Sequence, residues 1–288
     1  MNKCQNNDLV CVKKEVLDIQ WAWSFGITYK GAIENKTEAL RICARRAYRD
    51  VSRTLKYSIS ADKLDKMMKQ TVDKERKSSE NYERDRKEAA EYTKSKSCFI
   101  KKVIDEICNF INKELLEKTE ILLKEDDASL QGNFDKLHEE ECEKIIDIAK
   151  NAKTKGGENL FQGNGALFYI GQAQKWLNMT FKYMLAMGLW DDSLEKIRKH
   201  LHIPVDDYII EAVKRKTNLK IGEDFKSGWS KWEEYHDKYF KLQQHVRKTA
   251  LNNITPMDWE TAAWIEVKKR RDDEADKKKK DLWEEYKL

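Results

Sequence analysis

The sequence predicts an all-α protein. Charged residues fill 37% of its 288 positions and only two prolines occur, Pro204 and Pro256, a balance that favours long solvated helices over strands and turns. In several segments the apolar residues also recur at intervals of three and four, the spacing that lines one face of a helix. The length permits one large domain or two lobes sharing an interface. The expected organisation is a single two-lobed helical domain over 1–288, with N-terminal helices over 1–153 and a second group of helices over 166–288.

Residues 37–57, "TEALRICARRAYRDVSRTLKY", place Leu40, Cys43, Ala44, Ala47, Val51 and Leu55 on one side of a helix that Thr37 would cap. Residues 60–97 are so charged that they read as a peripheral helical insertion or a flexible arm with little to bury. From Cys98 to Lys124 the apolar stripe returns through Ile100, Val103, Ile104, Ile107, Phe110 and Ile111, and Asn133 to Lys150 reads as a further helix. "TKGGENLFQGNG", at 154–165, holds four glycines and is the clearest loop, a candidate boundary between lobes. Seven tryptophans follow it (Trp176, Trp190, Trp229, Trp232, Trp259, Trp264 and Trp283), which points to the C-terminal part as the place to look for a site. The tail after Val267 reads as a charged helix.

Several function classes are set aside by composition. The net charge of +5, from 56 Lys and Arg against 51 Asp and Glu, is too small to indicate a polyanionic partner by itself. Local basic clusters carry more information: an arginine-rich helix from Arg41 to Arg53, the run Lys214, Arg215 and Lys216, and another at 268–271. Each is also compatible with an ordinary solvated helix face. The six cysteines are scattered, with no paired spacing and no matching histidines, so neither a zinc site nor a disulfide framework is expected. His200 and His202 beside Asp206 and Asp207 do not have the helical spacing that converges metal ligands, and "HEEEC" at 138–142 reads as a charged helix face. No metal and no cofactor are expected, and no glycine-rich phosphate loop is present. The N-terminal residues lack a signal-peptide core and no stretch approaches a membrane span, so a cytoplasmic protein without membrane contact is expected.

The stretch "GQAQKWLNMTFKYMLAMG" covers 171–188 and makes up most of a helix read at 167–187. Ile170, Ala173, Leu177, Phe181, Met184 and Leu185 fall on one side, while Gly171, Lys175, Asn178 and Lys182 recur at i, i+4, i+7 and i+11 on another. In so lysine-rich a chain, a lysine on a helix is ordinarily a solvated one. Downstream, "LHIPVDDYIIEAV" at 201–213 sets Pro204 two residues before Asp206, at the start of an apolar helix, where Asp206 or Asp207 could act simply as an N-cap.

Together, "GQAQKWLNM", a helix closed by Gly188 and "IPVDDYI" resemble the lysine helix and the "PVD" helix start of the helix-hairpin-helix superfamily of base-excision DNA glycosylases. The 31-residue separation of Lys175 and Asp206 is most similar to the archaeal 8-oxoguanine glycosylase branch. The resemblance spans about fifty residues, Leu167 to Lys214, and "YIGQAQK" has one glycine where the usual hairpin has two, so the hairpin is degenerate and does not encode the close backbone approach to a phosphate that two glycines permit.

The resemblance implies a two-lobed glycosylase-like fold in which Lys175 is the nucleophile and Asp206 the carboxylate that supports it. Glycosidic cleavage develops positive charge on the sugar, which a carboxylate stabilises, and a neutral lysine can attack C1′ to give a Schiff base and β-elimination. Asn178, Lys182 and Trp176 beside the lysine, and Asp258, Trp259 and Trp264 in "ITPMDWETAAW", are the candidates for holding an extruded base. Gly171, Arg45, Arg49, Lys214 and Arg215 are the candidates for contacts to DNA. The expected partner is double-stranded DNA with an oxidised purine or a hypermodified phage-type base, bound by a monomer in repair or antiviral defence. The alternative is a noncatalytic helical module that binds nucleic acid or a protein. A helical RNase ranks last, because only Arg198 and His202 approach the arrangement it needs.

Overall fold

In the computed structural model the described residues are 36–59, 63–64, 67, 80–115, 118, 126–162, 168–188, 197–216, 228–249 and 254–285. They form helices α1 (Lys36–Ser52), α2 (Glu80–Asn109), α3 (Asp127–Lys150), α4 (Ile170–Ala186), α5 (Asp207–Lys216), α6 (Lys241–Thr249) and α7 (Pro256–Glu285). Four short pieces join or extend them: a wide π turn at Phe110–Leu115 after α2, 3-10 turns at Arg198–His200 and Trp229–Lys231, and a π turn at Tyr235–Phe240 that runs into α6. The expected all-α class is therefore observed. No strand occurs among the described residues, only the isolated bridges Tyr57–Phe161 and Lys153–Asn159. None of the described helices is long and apolar enough to cross a membrane.

The central element is α4, all of whose residues are buried. A helix covered all round needs neighbours on every side, and α1, α3, the Trp229 turn and the Tyr235 turn supply them. Against it α1 lays Leu40, Cys43, Ala44, Ala47 and Val51, the stripe expected from their spacing, each buried. Trp176 donates its indole N–H to the Ala44 carbonyl at 2.9 Å, which gives a buried tryptophan the partner it needs. Gly188, at φ +65°, ends the turn after α4, a conformation that glycine adopts without a Cβ penalty. One contiguous cluster of buried residues runs from Leu40 to Val267, so segments on both sides of the glycine-rich loop share a core.

Several elements depart from the sequence expectation. α1 begins at Lys36, so Thr37 lies in its first turn. The charged residues 80–97 continue without a break into 98–109 as one 30-residue helix. It is anchored by Ala89 and Tyr92, both buried, and the Tyr92 hydroxyl donates to the Leu160 carbonyl at 3.1 Å. The rest of the insertion, apart from Lys63, Leu64 and Met67, lies outside the described residues, as do the N-terminal 35 residues, the end of the apolar stripe at 119–124, and Trp190. α3 starts at Asp127, earlier than Asn133, because Asp126 caps it: Oδ1 accepts from the N–H groups of Ala128 and Ser129. Most sharply, "HEEEC" is not a charged face. His138, Glu141 and Cys142 are fully buried, and their i, i+3, i+4 spacing is that of an inner stripe. Burial pushes the Glu141 carboxyl up to about 9, ahead of the opposing charge of Lys144.

A Lys–Asp pair in a carboxylate-rich cavity

Asp206 is placed by the irregular segment 201–206, where Leu201, Ile203 and Val205 are completely buried. Its backbone is gripped by side chains of α4 and α6. The Gln174 amide donates to the Val205 carbonyl at 3.1 Å and its Oε1 accepts from the Val205 N–H at 3.2 Å. Gln243 does the same for Ile203, at 2.8 and 3.0 Å. Both oxygens of Asp206 are then used. Oδ1 accepts from the Ile209 N–H at 3.0 Å, the capping role that starts α5, and Oδ2 accepts from Lys175 Nζ at 2.8 Å. Cap and ion pair are one residue's two functions.

Lys175 and Asp206 line a cavity of about 380 Å³ together with Asp50, Arg53, Thr54, Met179, Lys182, Asp207, Tyr208, Trp229, Glu260 and Trp264. Of the lysine 6% and of the aspartate 14% of the side chain remains exposed. Nζ of Lys175 lies 6.0 Å from the centre of the Trp229 ring, within range of a cation–π contact. Trp264 and Tyr208 pack against each other with ring centres 5.1 Å apart. Four carboxylates, Asp50, Asp206, Asp207 and Glu260, outnumber the cations Arg53, Lys175 and Lys182 on this lining. The Asp206 carboxylate among them suits a reacting centre that becomes positive.

Deeper in the same wall, Lys182 is ion-paired with Glu260 Oε2, and both side chains are almost wholly buried. Burial draws the Lys182 ammonium below its ordinary value, and the nearby Lys175 charge adds to this, against the attraction of Glu260. Burial raises the Glu260 carboxyl, with Lys182 opposing. For Asp206 burial acts upward too, but the charge and hydrogen bond of Lys175 and the Ile209 N–H outweigh it, so this carboxyl is held low. Asp206 and Glu260 are thus driven apart, a pattern that separates acid and base roles.

The sequence-derived candidates divide clearly. Lys175, Lys182, Asp206 and Trp264 come together at the cavity. Asn178 turns away from it and bonds His138, Tyr239 and the Ile203 carbonyl. Trp176 and Trp259 are packed in the core. Asp258 bonds Arg198 at 2.5 Å and Thr255 at 2.6 Å, tying the start of α7 to the turn before 201–206. Gly171 is buried, its N–H donates to the Trp232 carbonyl at 3.1 Å, and a Cβ there would fall 1.8 Å from the Trp229 carbonyl oxygen. This glycine serves a close backbone approach rather than a phosphate contact. Arg45, Arg49, Lys214 and Arg215 are exposed, the first two on α1 and the others at the far end of the helix that Asp206 caps. His202, weighed as a metal ligand, is bonded to Tyr239 and Asp135.

Sequence reasoning missed Glu260, Trp229 and Gln174. Glu260 had a signal: it stands four residues before Trp264 and so shares its face of α7, whereas Asp258 and Trp259 do not. Gln174 stands four residues before Asn178 in the same way. Trp229 is one of the seven tryptophans after the glycine-rich loop, and no local pattern sets it apart from the others. A larger cavity of about 650 Å³ lies between α2 and the end of α3, lined by Lys94, Cys98, Lys102, Asp147, Lys153 and Lys155 among others. Its lysines include Lys155, whose side chain is 74% exposed and whose pairing with Glu91 at 3.2 Å is that of a surface ion pair. The convergent chemistry is at the smaller cavity. The chain matches no family model, no curated protein and no solved structure.

Proposed function

We propose that the protein is a DNA N-glycosylase with AP lyase chemistry, acting on a modified base extruded from duplex DNA. One observation carries this reading: Lys175 Nζ and Asp206 Oδ2, 31 residues apart in sequence, meet at 2.8 Å in the wall of a single cavity. Asp206, held ionised and aimed into the cavity, is suited to stabilise the positive charge that grows on deoxyribose as the glycosidic bond breaks. Lys175 is suited to capture C1′ as nucleophile, and the Schiff base that follows permits β-elimination. Trp229, Trp264 and Tyr208 supply faces on which a flipped base can stack, offsetting the few kcal/mol of its extrusion. Exposed Arg45 and Arg49 on α1, the helix whose last turns reach the cavity, fit the phosphates beside an extruded nucleotide. Oxidised purines and hypermodified phage-type bases are the substrate classes in view, in repair or antiviral defence.

The test is borohydride trapping on duplexes carrying 8-oxoguanine, glucosylated 5-hydroxymethylcytosine or an abasic site. Wild type forms a covalent adduct; Lys175→Ala forms none, and Asp206→Asn loses about 10³-fold or more in excision. A wild type that neither releases a base nor traps on the abasic duplex defeats the reading. Salt-sensitive DNA binding without any adduct would favour a noncatalytic nucleic-acid-binding module, for which the exposed arginines of α1 speak equally. That module leaves the buried Lys175–Asp206 pair without a role.

A further inference from the structure

Glu260 has an oxygen that the fold does not use. Its Oε2 is paired with Lys182, whereas Oε1 is buried and has no hydrogen-bond partner among the described residues. The side chain is 1% exposed and lines the same cavity as Lys175 and Asp206. An unsatisfied buried carboxylate oxygen costs several times what a lost surface contact does, so this one points to a group that arrives with the substrate. Lys182 and Lys175 are seven residues apart on α4, two turns along one face, with Nζ of each directed to a carboxylate of the cavity.

We propose that Glu260 is the general acid of base release, delivering a proton from Oε1 to the departing base. The proposal rests on the glycosylase reading of Lys175 and Asp206 and adds the group that activates the leaving side. Two physical features support it. Burial raises the carboxyl, so Glu260 keeps its proton at pH values where Asp206 has lost its own. Lys182, bonded to Oε2, then becomes the counter-ion of the carboxylate that forms once Oε1 has given its proton away. In the step, the bond between C1′ and the base nitrogen breaks, its electron pair stays with the base, and the Oε1 proton neutralises that base. Asp206 faces the cationic sugar. Lys175 sheds one ammonium proton, which returns Glu260 to its acid form, and the freed amine forms the new bond to C1′. One proton has passed from Lys175 to the base by way of Glu260, and no other reagent is needed.

The experiment compares wild type, Glu260→Gln and the double variant Lys182→Met/Glu260→Gln. It uses single-turnover excision on the two modified-base duplexes and borohydride trapping on the abasic duplex, where no base has to leave. The expected result is a loss of about 10²–10⁴-fold in excision for Glu260→Gln, with the alkaline limb of the pH–rate profile removed and abasic trapping kept within about threefold. Because Glu260→Gln changes the group that Lys182 Nζ is bonded to, the double variant, which has no ionisable side chain at either position, controls for folding and is expected to behave alike. Excision by either folded variant within about threefold of wild type overturns the assignment. So does an equal loss of excision and abasic trapping, the mark of a role in shaping the cavity, and so does a wild type that traps on the abasic duplex but releases neither base. A wild type that does nothing on any duplex defeats the glycosylase reading itself, whereas an active wild type with an unaffected Glu260→Gln defeats only the role of Glu260.

Discussion

Lys175 and Lys182 on one face of α4, and Gln174 and Asn178 on the adjoining face, are polar groups on the same buried helix with different surroundings. The lysines open on a cavity, with carboxylates for partners and Glu260 Oε1 unsatisfied. Asn178 enters a closed lattice. Its amide donates to the Ile203 carbonyl and to the Tyr239 hydroxyl, so its Oδ1 must accept, and His138 Nε2 donates to it at 2.8 Å. His138 Nδ1 then accepts from the Tyr235 hydroxyl at 2.9 Å. Tyr239 passes its own hydroxyl proton towards His202 Nδ1 at 2.8 Å, and His202 Nε2 donates to Asp135, which Arg247 holds with two bonds of 2.8 and 2.9 Å. Both ring nitrogens of both histidines are bonded. The closed lattice fixes the 201–206 segment, and through it aims Asp206 into the cavity: positioning sits on one face of α4 and chemistry on the next.

If that division holds, the two faces respond to mutation in opposite ways. Lys175→Ala is expected to abolish the borohydride adduct while shifting thermal stability little, because Asp206 keeps its capping bond and the solvent of the cavity. Asn178→Ala is expected to cost about 3 kcal/mol by urea unfolding, since it leaves buried partners at His138 and Tyr239 unmet, and to lower excision only in part. A stable Asn178→Ala, or a Lys175→Ala that unfolds, would erase the distinction. Gly171→Ala tests the seam between α4 and the Trp229 turn. A Cβ 1.8 Å from the Trp229 carbonyl forces backbone to move, with an expected loss of about 1–3 kcal/mol and a displaced Trp229 beside Lys175.

The closed face also has a pH signature. Burial lowers His202 to about 4, against the help of Asp135, and draws His138 below its ordinary value, with the His202 charge acting the same way. An unfolded histidine takes up its proton near pH 6.5 while these two do not. Stability is therefore fully present above about pH 6.5 and is lost as pH falls from there towards 4, because the unfolded state binds more protons over that window. Urea melts at stepped pH measure the slope, and His202→Asn is expected to reduce it. An unchanged slope would mean that His202 is not held neutral.

The limits of sequence reasoning follow from the same geometry. The stripe Gly171, Lys175, Asn178, Lys182 was legible as polar positions on a buried helix, and Asp206 as a helix start after Pro204. At about 100° per residue, Lys182 lies only about 20° round the helix from Lys175, but Asn178 lies about 60° away, enough to face a different neighbour. The pattern gives no sign of which neighbour that is. "HEEEC" misled for a related reason: its charged letters outweighed the i, i+3, i+4 spacing that places His138, Glu141 and Cys142 inside. Arg198–Asp258 and the grip of Gln243 on Ile203 link residues dozens of positions apart, and no local pattern encodes such pairings.

The smallest expected effect concerns the exposed cations, where the comparison moves from the cavity to the surface. Arg45 and Arg49 stand on α1 opposite its buried stripe, while Arg53, in the turn just after that helix, reaches the cavity lining. Arg41, one turn earlier than Arg45, is already engaged with Asp105 on α2, so it has less to offer a new anion. If Arg45 and Arg49 each meet one phosphate of a bound duplex, each replacement by Ala removes about one released counterion, and the slope of log K against log salt falls by about 0.9. Binding should weaken alike for modified and unmodified duplexes, because a phosphate contact carries no base information. Arg41→Ala should change the slope by less than either. Fluorescence anisotropy across a salt series reads all three variants, and a slope that depends on Arg41 as much as on Arg49 would place the DNA on another face of the protein.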